Sequence, residues 1–243
     1  MQEKNPLIIS ASIIAAGFII VGIIMNSAWR NHTSSNETIT VTGSAKRDII
    51  SDFAILRGTI NSTSSGAADA FRKLEAQKPA LYDYLAKQGF PKDKVVLNAV
   101  VSNSVYELTP SGAMTNNVVG YNYSQRFEIQ SEDCQKIKNI SLDISSIVEK
   151  GVNFTVDQPE YYFTKIAKLK IEIQAEAAKD AYIRATKIAE ASNSKIGVLR
   201  NARMGVLQIT PKNSNAISDS GINDVSSVEK EITAVVNASF EIK

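Results

Sequence analysis

One cysteine and one histidine stand in 243 residues, and neither sign of charge prevails. With Cys134 alone, no intramolecular disulfide forms, and the fold must be held by its core. His32 is the sole histidine, which removes Ser-His-Asp, Cys-His and multi-histidine zinc chemistry. The chain carries 27 basic and 25 acidic side chains; without residues 1–30, which hold Lys4, Arg30 and Glu3, 25 and 24 remain. A nucleic-acid binder carries a clear basic excess to displace counterions, so nucleic acid is not an expected partner. Hydrophobic residues at 44% and charged residues at 21% are those of a globular chain, long enough for one large domain or two small ones.

Charge is missing altogether from residues 7–25, LIISASIIAAGFIIVGIIM, where Ser10 and Ser12 are the only polar side chains. As a helix this stretch spans ~28 Å, close to the hydrocarbon thickness of a bilayer. Pro6 precedes it at a tolerated start position, and Trp29 and Arg30 follow as interface residues. Residues 1–30 therefore read as a transmembrane anchor, with Leu7, Ile13, Phe18 and Ile24 in lipid and Trp29 and Arg30 at its border. The alternatives are a cleaved signal peptide, for which Asn26-Ser27-Ala28 is a poor cleavage site, and a soluble core helix. A short N-terminal stub before a large domain favours N-inside, C-outside. The expectation is a single-pass protein of the cytoplasmic (inner) membrane with a periplasmic or other extracytoplasmic domain. Residues 31–37, NHTSSNE, form a polar linker, and His32 within it reads as solvent-exposed filler.

Residues 38–46 alternate Ile39 and Val41 with polar neighbours, and residues 52–62 form a second apolar-rich strand. Residues 48–51 between them read as a turn or bulge, pointing to antiparallel pairing. A helix follows, with Ser65 as candidate N-cap, a face of Ala67, Ala70, Phe71, Leu74, Leu81 and Leu85, a gap at Gln77-Lys78, and a stop at Gly89. Pro79 inside it predicts a kink or a split. Residues 95–107 and 118–130 are two long strands joined by a loop over 108–117; Tyr121, Tyr123, Gln125, Phe127 and Ile129 share one face. Ser131-Glu132-Asp133 starts a helix whose stripe is Cys134, Ile137, Ile140 (or Ser141), Ile144, Ile147 and Val148, closed by Lys150-Gly151. Cys134 thus reads as a core hydrophobe rather than a nucleophile. Residues 152–156 are a strand extending past Pro159. The longest helix covers 164–191, with Leu169, Ile173, Ala177, Ala181 (or Ala178), Ala185, Ile188 and Ala189 on one face. A strand over 197–210 bearing Arg200 and Arg203, a Ser/Asn/Asp-rich loop over 211–228 and an alternating strand over 231–243 complete the chain. The expected class is α+β, with mixed and antiparallel sheets packed with three helices plus one N-terminal transmembrane helix. Residues 38–243 form the domain, with candidate subdomains 38–130 and 131–243.

Four segments together resemble the SIMPL-domain family, a domain family of unknown function. They are ITVTGSAKRDIISDFAILRGTINSTSSGAADAF, GYNYSQRFEI, IVEKGVNF and AAKDAYIRATKIAEASNSKIGVL. The family's opening I-x-V-x-G is Ile39, Val41 and Gly43; its G-Y/F is Gly120-Tyr121; its G-A/V-N is Gly151-Val152-Asn153. Its A-x-x-D-A-x-x-K-A-x-x-I/L-A helix is residues 177–189, with Arg184 in place of the lysine. Lys78-Pro79 and the uncleaved anchor depart from the family pattern. The resemblance implies an exported periplasmic or cell-surface protein. Some members assemble into ring- or channel-like homo-oligomers, others are linked to envelope or oxidative stress, and no catalytic residues carry over.

Two readings of function follow. The first is a membrane-anchored extracytoplasmic interaction or scaffold protein that self-assembles into a homo-oligomer, with an envelope protein as a further partner and with hairpins 95–130 and 197–243 offering edges for lateral pairing. The second is a small-ligand-binding domain or an enzyme. Asp52, Glu107, Arg126 and Glu160 are its candidate polar groups, but nothing in the sequence brings them together. No catalytic, cofactor or metal residues are assigned, and the first reading, a non-enzyme, is preferred. Seven Asn-x-Ser/Thr sequences, at Asn31, Asn36, Asn61, Asn122, Asn139, Asn153 and Asn237, read as composition rather than glycan sites. Tyr161-Tyr162-Phe163 reads as core or a strand end.

Overall fold

A computed structural model describes residues 15–26 and 37–243. Its alternating segments build two sheets. The first two strands, β1 (Thr38–Ile50) and β2 (Phe53–Ser64), lie in different ones, so their expected pairing is not formed. Only Ser51 and Asp52 separate them, and a two-residue hairpin needs positive φ, which neither residue adopts. The chain instead runs straight on. The Ser51 amide donates to the Val228 carbonyl and the Asp52 amide to the Tyr162 carbonyl, each at 2.9 Å.

The six-stranded sheet is centred on β2 and β5 (Met114–Ser131), antiparallel from Ala54↔Ser131 to Ser64↔Tyr121. β3 (Val96–Leu97) and β4 (Val101–Leu108) lie on the far side of β5. The short strands β6 (Phe154–Val156) and β7 (Glu160–Tyr162) lie on the far side of β2. The hairpin loop between β4 and β5 covers only residues 109–113, because Leu108 already pairs with Met114. Gly112, at φ +82°, makes the turn. On β5 the expected face is buried at Gln125, Phe127 and Ile129, whereas Tyr121 and Tyr123, also paired with β2, are half-buried.

Two helices cover the inner face. α2 (Ala67–Lys87) buries Ala70, Leu74, Gln77, Leu81, Tyr84 and Leu85, and Phe71 turns outward against Tyr123 with ring centroids 5.8 Å apart. Its N-cap residue is Gly66, with no side-chain cap, rather than Ser65. The gap in its apolar face is filled by a polar side chain: Gln77 donates to the Asn61 carbonyl (2.9 Å) and accepts from the Asn153 amide (2.6 Å). Pro79 does not split the helix. Proline has no amide proton for the Glu75 carbonyl, and its ring is exposed. Pro79→Ala is therefore expected to raise stability by about 1–3 kcal/mol in chemical denaturation; an unchanged midpoint would show that the Glu75 carbonyl is satisfied otherwise.

α3 (Cys134–Asp143) is capped by Asp133, whose carboxylate accepts from the Lys136 amide at 2.9 Å, and passes into a 3-10 turn over Ile144–Lys150 that ends at left-handed Gly151. Cys134, Ile137, Ile140, Ile144 and Ile147 are buried as expected, while Val148 is exposed. With Leu56, Ile60, Phe127 and Ile129 they form one core. Each such side chain taken out of water contributes about 1.5–3 kcal/mol.

The five-stranded sheet runs β1-β11-β9-β10, with β8 also on β11. Here β8 is Ile196–Met204, β9 Gln208–Pro211, β10 Ile222–Asn223 and β11 Glu229–Ile242. The strand expected over 197–210 is thus two strands, and the 211–228 loop contains β10, parallel to β9. α4 (Ile166–Ala191) buries Leu169, Ile173, Ala177, Ala181, Ala185 and Ala189, with Ile188 half-exposed. Left-handed Asn193 follows its end.

The chain divides into two compact units. One comprises residues up to Lys46 with Ile171–Leu207 and Thr233–Lys243; the other comprises Arg47–Lys170 and Gln208–Ile232. Gln130, the candidate boundary, lies inside β5 within the second. The class is α+β with mixed and antiparallel sheets, and residues 15–26 add a further helix, α1, whose side chains are exposed. Among the described residues no helix is long and apolar enough to cross a membrane. The expected anchor includes Phe18 and Ile24 of α1, whereas Leu7, Ile13, Trp29, Arg30 and His32 lie outside the described residues.

Candidate functional site

The β4–β5 hairpin outruns its sheet. β2 pairs with β5 only as far as Tyr121, so residues 114–120 have β4 as their neighbour and nothing beyond it. Every residue of β4 is exposed. Tyr106, Leu108, Met114 and Val118 meet across one face, and Val101 and Val105 alternate onto the other. Leu108 is 61% and Met114 71% exposed. A two-stranded ribbon is marginal in water by itself, and an unpaired edge is a template for another strand.

A second open edge lies in the first unit. β8 pairs with β11 on one side only among the described strands. Leu199 and Met204 stand opposite buried Phe240 and Val236 yet are themselves 53% and 49% exposed. Arg200 reaches Glu241 at 2.8 Å, and Arg203 stands opposite Asn237.

Of the four polar groups read from the sequence, Arg126 and Glu160 lie near enough to interact, and Asp52 and Glu107 lie apart from them. Asp52 accepts from the amide and hydroxyl of Thr164 (2.7 and 2.8 Å). Glu107 accepts from the Asn117 side-chain amide on the ribbon (2.9 Å). Arg126 pairs with Asp157. Glu160 joins a cluster organised by Arg57, which bridges Glu128 (2.6 Å) and Glu160 (2.7 Å). Hydrogen bonds to Glu160 and Glu128 push the Arg57 pKa up. The Tyr162 hydroxyl and then Arg57 hold Glu160 below the usual carboxylate range. Burial would raise Glu128, but hydrogen bonds from Gln130 and Arg57 outweigh it. General acid–base pairs have their pKa values driven apart; here both carboxylates are shifted down together, each with Arg57 among its partners.

The least expected group is Lys230, 2% exposed at the start of β11. Its ammonium donates to the Tyr161 carbonyl (2.7 Å) and to the Asp224 carbonyl, with an Asp224 carboxylate oxygen at 3.8 Å. Burial pulls its pKa down against the pull of Asp224. Asp224 in turn would be raised by burial, but Ser227 and Ser226 hydrogen bonds and the neighbouring Lys230 bring it below the usual range. Tyr161, Phe163, Ile209 and Lys230 line a cavity of about 110 Å³ beside it. The charges there are spent on one another and on backbone. The sequence signal for Lys230 was its phase: it takes the inward position of a strand whose other inward residues are Ile232, Ala234 and Val236. Of the aromatic triplet, Tyr161 is core and Tyr162 serves Glu160. Burial raises the Cys134 pKa, and its thiol donates to the Ser51 carbonyl (3.2 Å), a core role. Among the described residues no group of acidic, histidine and cysteine side chains is placed to hold a metal ion.

The sequence motifs meet in packing instead. A Cβ on Gly43 would lie 2.3 Å from the Ala177 carbonyl oxygen and 2.3 Å from the Ala181 amide nitrogen, so β1 and α4 touch backbone to backbone. Asp180, between those alanines, accepts from the Ser44 amide (2.8 Å) and from Arg184 (2.7 Å). A Cβ on Gly120 would meet the Ser64 carbonyl at 2.9 Å. Gly151 ends a helical turn, and the Asn153 carbonyl accepts from the Asn61 amide. At Gly43 and Gly120 the absence of a Cβ is what lets two segments of backbone close up. No curated protein matches the chain. Among solved structures it is similar to the regulatory subunit of aspartate kinase from Thermus flavus, at 10% identity over 82% of this chain and 89% of that one, with a TM-score of 0.14, too low to show a common fold. The family described as "SIMPL: Protein of unknown function (DUF541)" matches residues 39–240, which contain every one of these packing positions, and the chain belongs to it.

Proposed function

We propose that this protein is a membrane-tethered extracytoplasmic scaffold whose domain self-assembles into a homo-oligomer. The observation that carries the reading is the β4–β5 ribbon: two strands without a third over residues 114–120, with apolar side chains on both faces and β4 open along its outer edge. Such a surface is stabilised when another chain covers it. Support for the tether comes from the uncharged run over residues 7–25, of which 15–25 are helical with Phe18 74% and Met25 65% exposed. A bilayer is the solvent that suits those side chains. The near balance of charge in the exported part fits a protein partner better than a polyanion.

The test uses the full chain, prepared from the membrane fraction in mild detergent and sized by light scattering after size exclusion. The expected protein mass is a discrete multiple of 26.4 kDa, and replacing Leu108 and Met114 together by serine is expected to reduce it. A monomer at all concentrations, or a chain absent from the membrane fraction, would sink the corresponding half of the reading.

A further inference from the structure

The β4 and β8 edges carry opposite charge. β4 contributes one formal charge, Glu107, whose carboxylate meets the Asn117 amide and has no ion-pair partner among the described residues. β8 contributes Arg200 and Arg203, and Arg203 has no ion-pair partner among the described residues. Both edges also leave large apolar side chains in water, Leu108 on one and Met204 on the other.

We propose that β8 of one copy pairs edge to edge with β4 of the next copy, Glu107 against Arg203. The proposal rests on the self-assembly reading above and names its contact. Like edges pair poorly. β8 on β8 in a centred antiparallel register brings the arginines of two copies together, a destabilising arrangement, and β4 on β4 leaves Glu107 without a cation. The mixed pair satisfies both. A parallel register with Glu107 beside Arg203 sets Leu108 beside Met204 and Tyr106 beside Ala202, and runs residues 101–108 along 197–204, with the β8 register slip near Arg200 to absorb. Open amide and carbonyl groups of both edges gain partners, and the exposed apolar side chains cover one another. Because the two surfaces differ, the contact is heterologous. It repeats from copy to copy and ends in a closed ring or an open filament.

Charge reversal tests this on the full chain in mild detergent, by light scattering across a concentration series. Glu107→Arg alone and Arg203→Glu alone are each expected to raise the concentration for half-assembly about tenfold, since an attractive pair becomes a repulsive one. An equimolar mixture of the two variants is expected to assemble as the wild type does, because every contact between unlike copies again joins opposite charges. The same rescue is expected of the double variant, and rescue also shows that the single variants are folded. If the wild type assembles and both single variants assemble at the same concentration, the edge pairing is wrong and self-assembly stands. A mixture that stays unassembled also overturns the pairing. A wild type that is monomeric throughout overturns both proposals.

Discussion

Gly43→Ala is expected to lower stability by about 3 kcal/mol, the upper part of the range for overpacking. The atoms in the way are not side-chain ends that could swing aside. They are the Ala177 carbonyl oxygen and the Ala181 amide nitrogen and Cα, at 2.3, 2.3 and 2.7 Å from the added carbon. To admit it, β1 and α4 must separate by more than an ångström, roughly the overlap implied by a normal contact. That separation would loosen the Ser44–Asp180 hydrogen bond and the packing of Ala177 and Ala181, both fully buried. Gly66→Ala serves as the control, since nothing lies within 4 Å of its Cβ and its φ is −109°. Urea denaturation of both variants decides the matter; a Gly43→Ala midpoint equal to that of the wild type would mean that the helix and strand are not in register as described.

The same contact shows how far the sequence could be read. Alternation located the strands that are buried on one face, such as β11, and the three- and four-residue spacing located the stripes of α3 and α4. Gly43, Ala177, Asp180 and Ala181 were legible as a recurring pattern, but not as neighbours, because residues more than a hundred positions apart are joined only by tertiary packing. Pairing partners were the weak point. β1 and β2 look like a hairpin in sequence, yet Ser51-Asp52 lacks the backbone conformation a hairpin turn requires, and the strands part into different sheets. The loop over 108–117 was overestimated because Asn116 and Asn117 have turn-forming side chains, while in the ribbon they are exposed strand residues. Short strands such as β3, β7 and β10 carry too few residues for any period to show. Of the polar candidates, Glu160 and Arg126 found ionic partners and Asp52 accepts from Thr164. Glu107 lies on β4, whose single neighbour is set by tertiary pairing and not by any local pattern.

Lys230→Ala carries the other large expected effect, a loss of about 4 kcal/mol. Two contributions add. The Tyr161 and Asp224 carbonyls lose their donor in a buried place, costing about 2 kcal/mol together after relaxation. The emptied stem leaves a void that costs about 2 kcal/mol more. One effect opposes them. Burial depresses the Lys230 pKa, so the site disfavours the ammonium form, and removing the charge relieves that penalty. Lys230→Met separates the parts, because it fills the space without donating. Its loss is expected to be about 2 kcal/mol, smaller than that of alanine. The pH dependence fixes the sign. A lysine whose folded pKa lies below its ordinary 10.5 binds fewer protons folded than unfolded throughout the interval between the two values. Wild-type stability relative to Lys230→Met therefore rises with pH across that interval and is level below it. Denaturation midpoints of the two proteins, taken from neutral pH upward to 10, show this directly. A difference that stays flat would place Lys230 in water, and one that narrows would mean that the partners, Asp224 above all, outweigh burial and hold the ammonium in place.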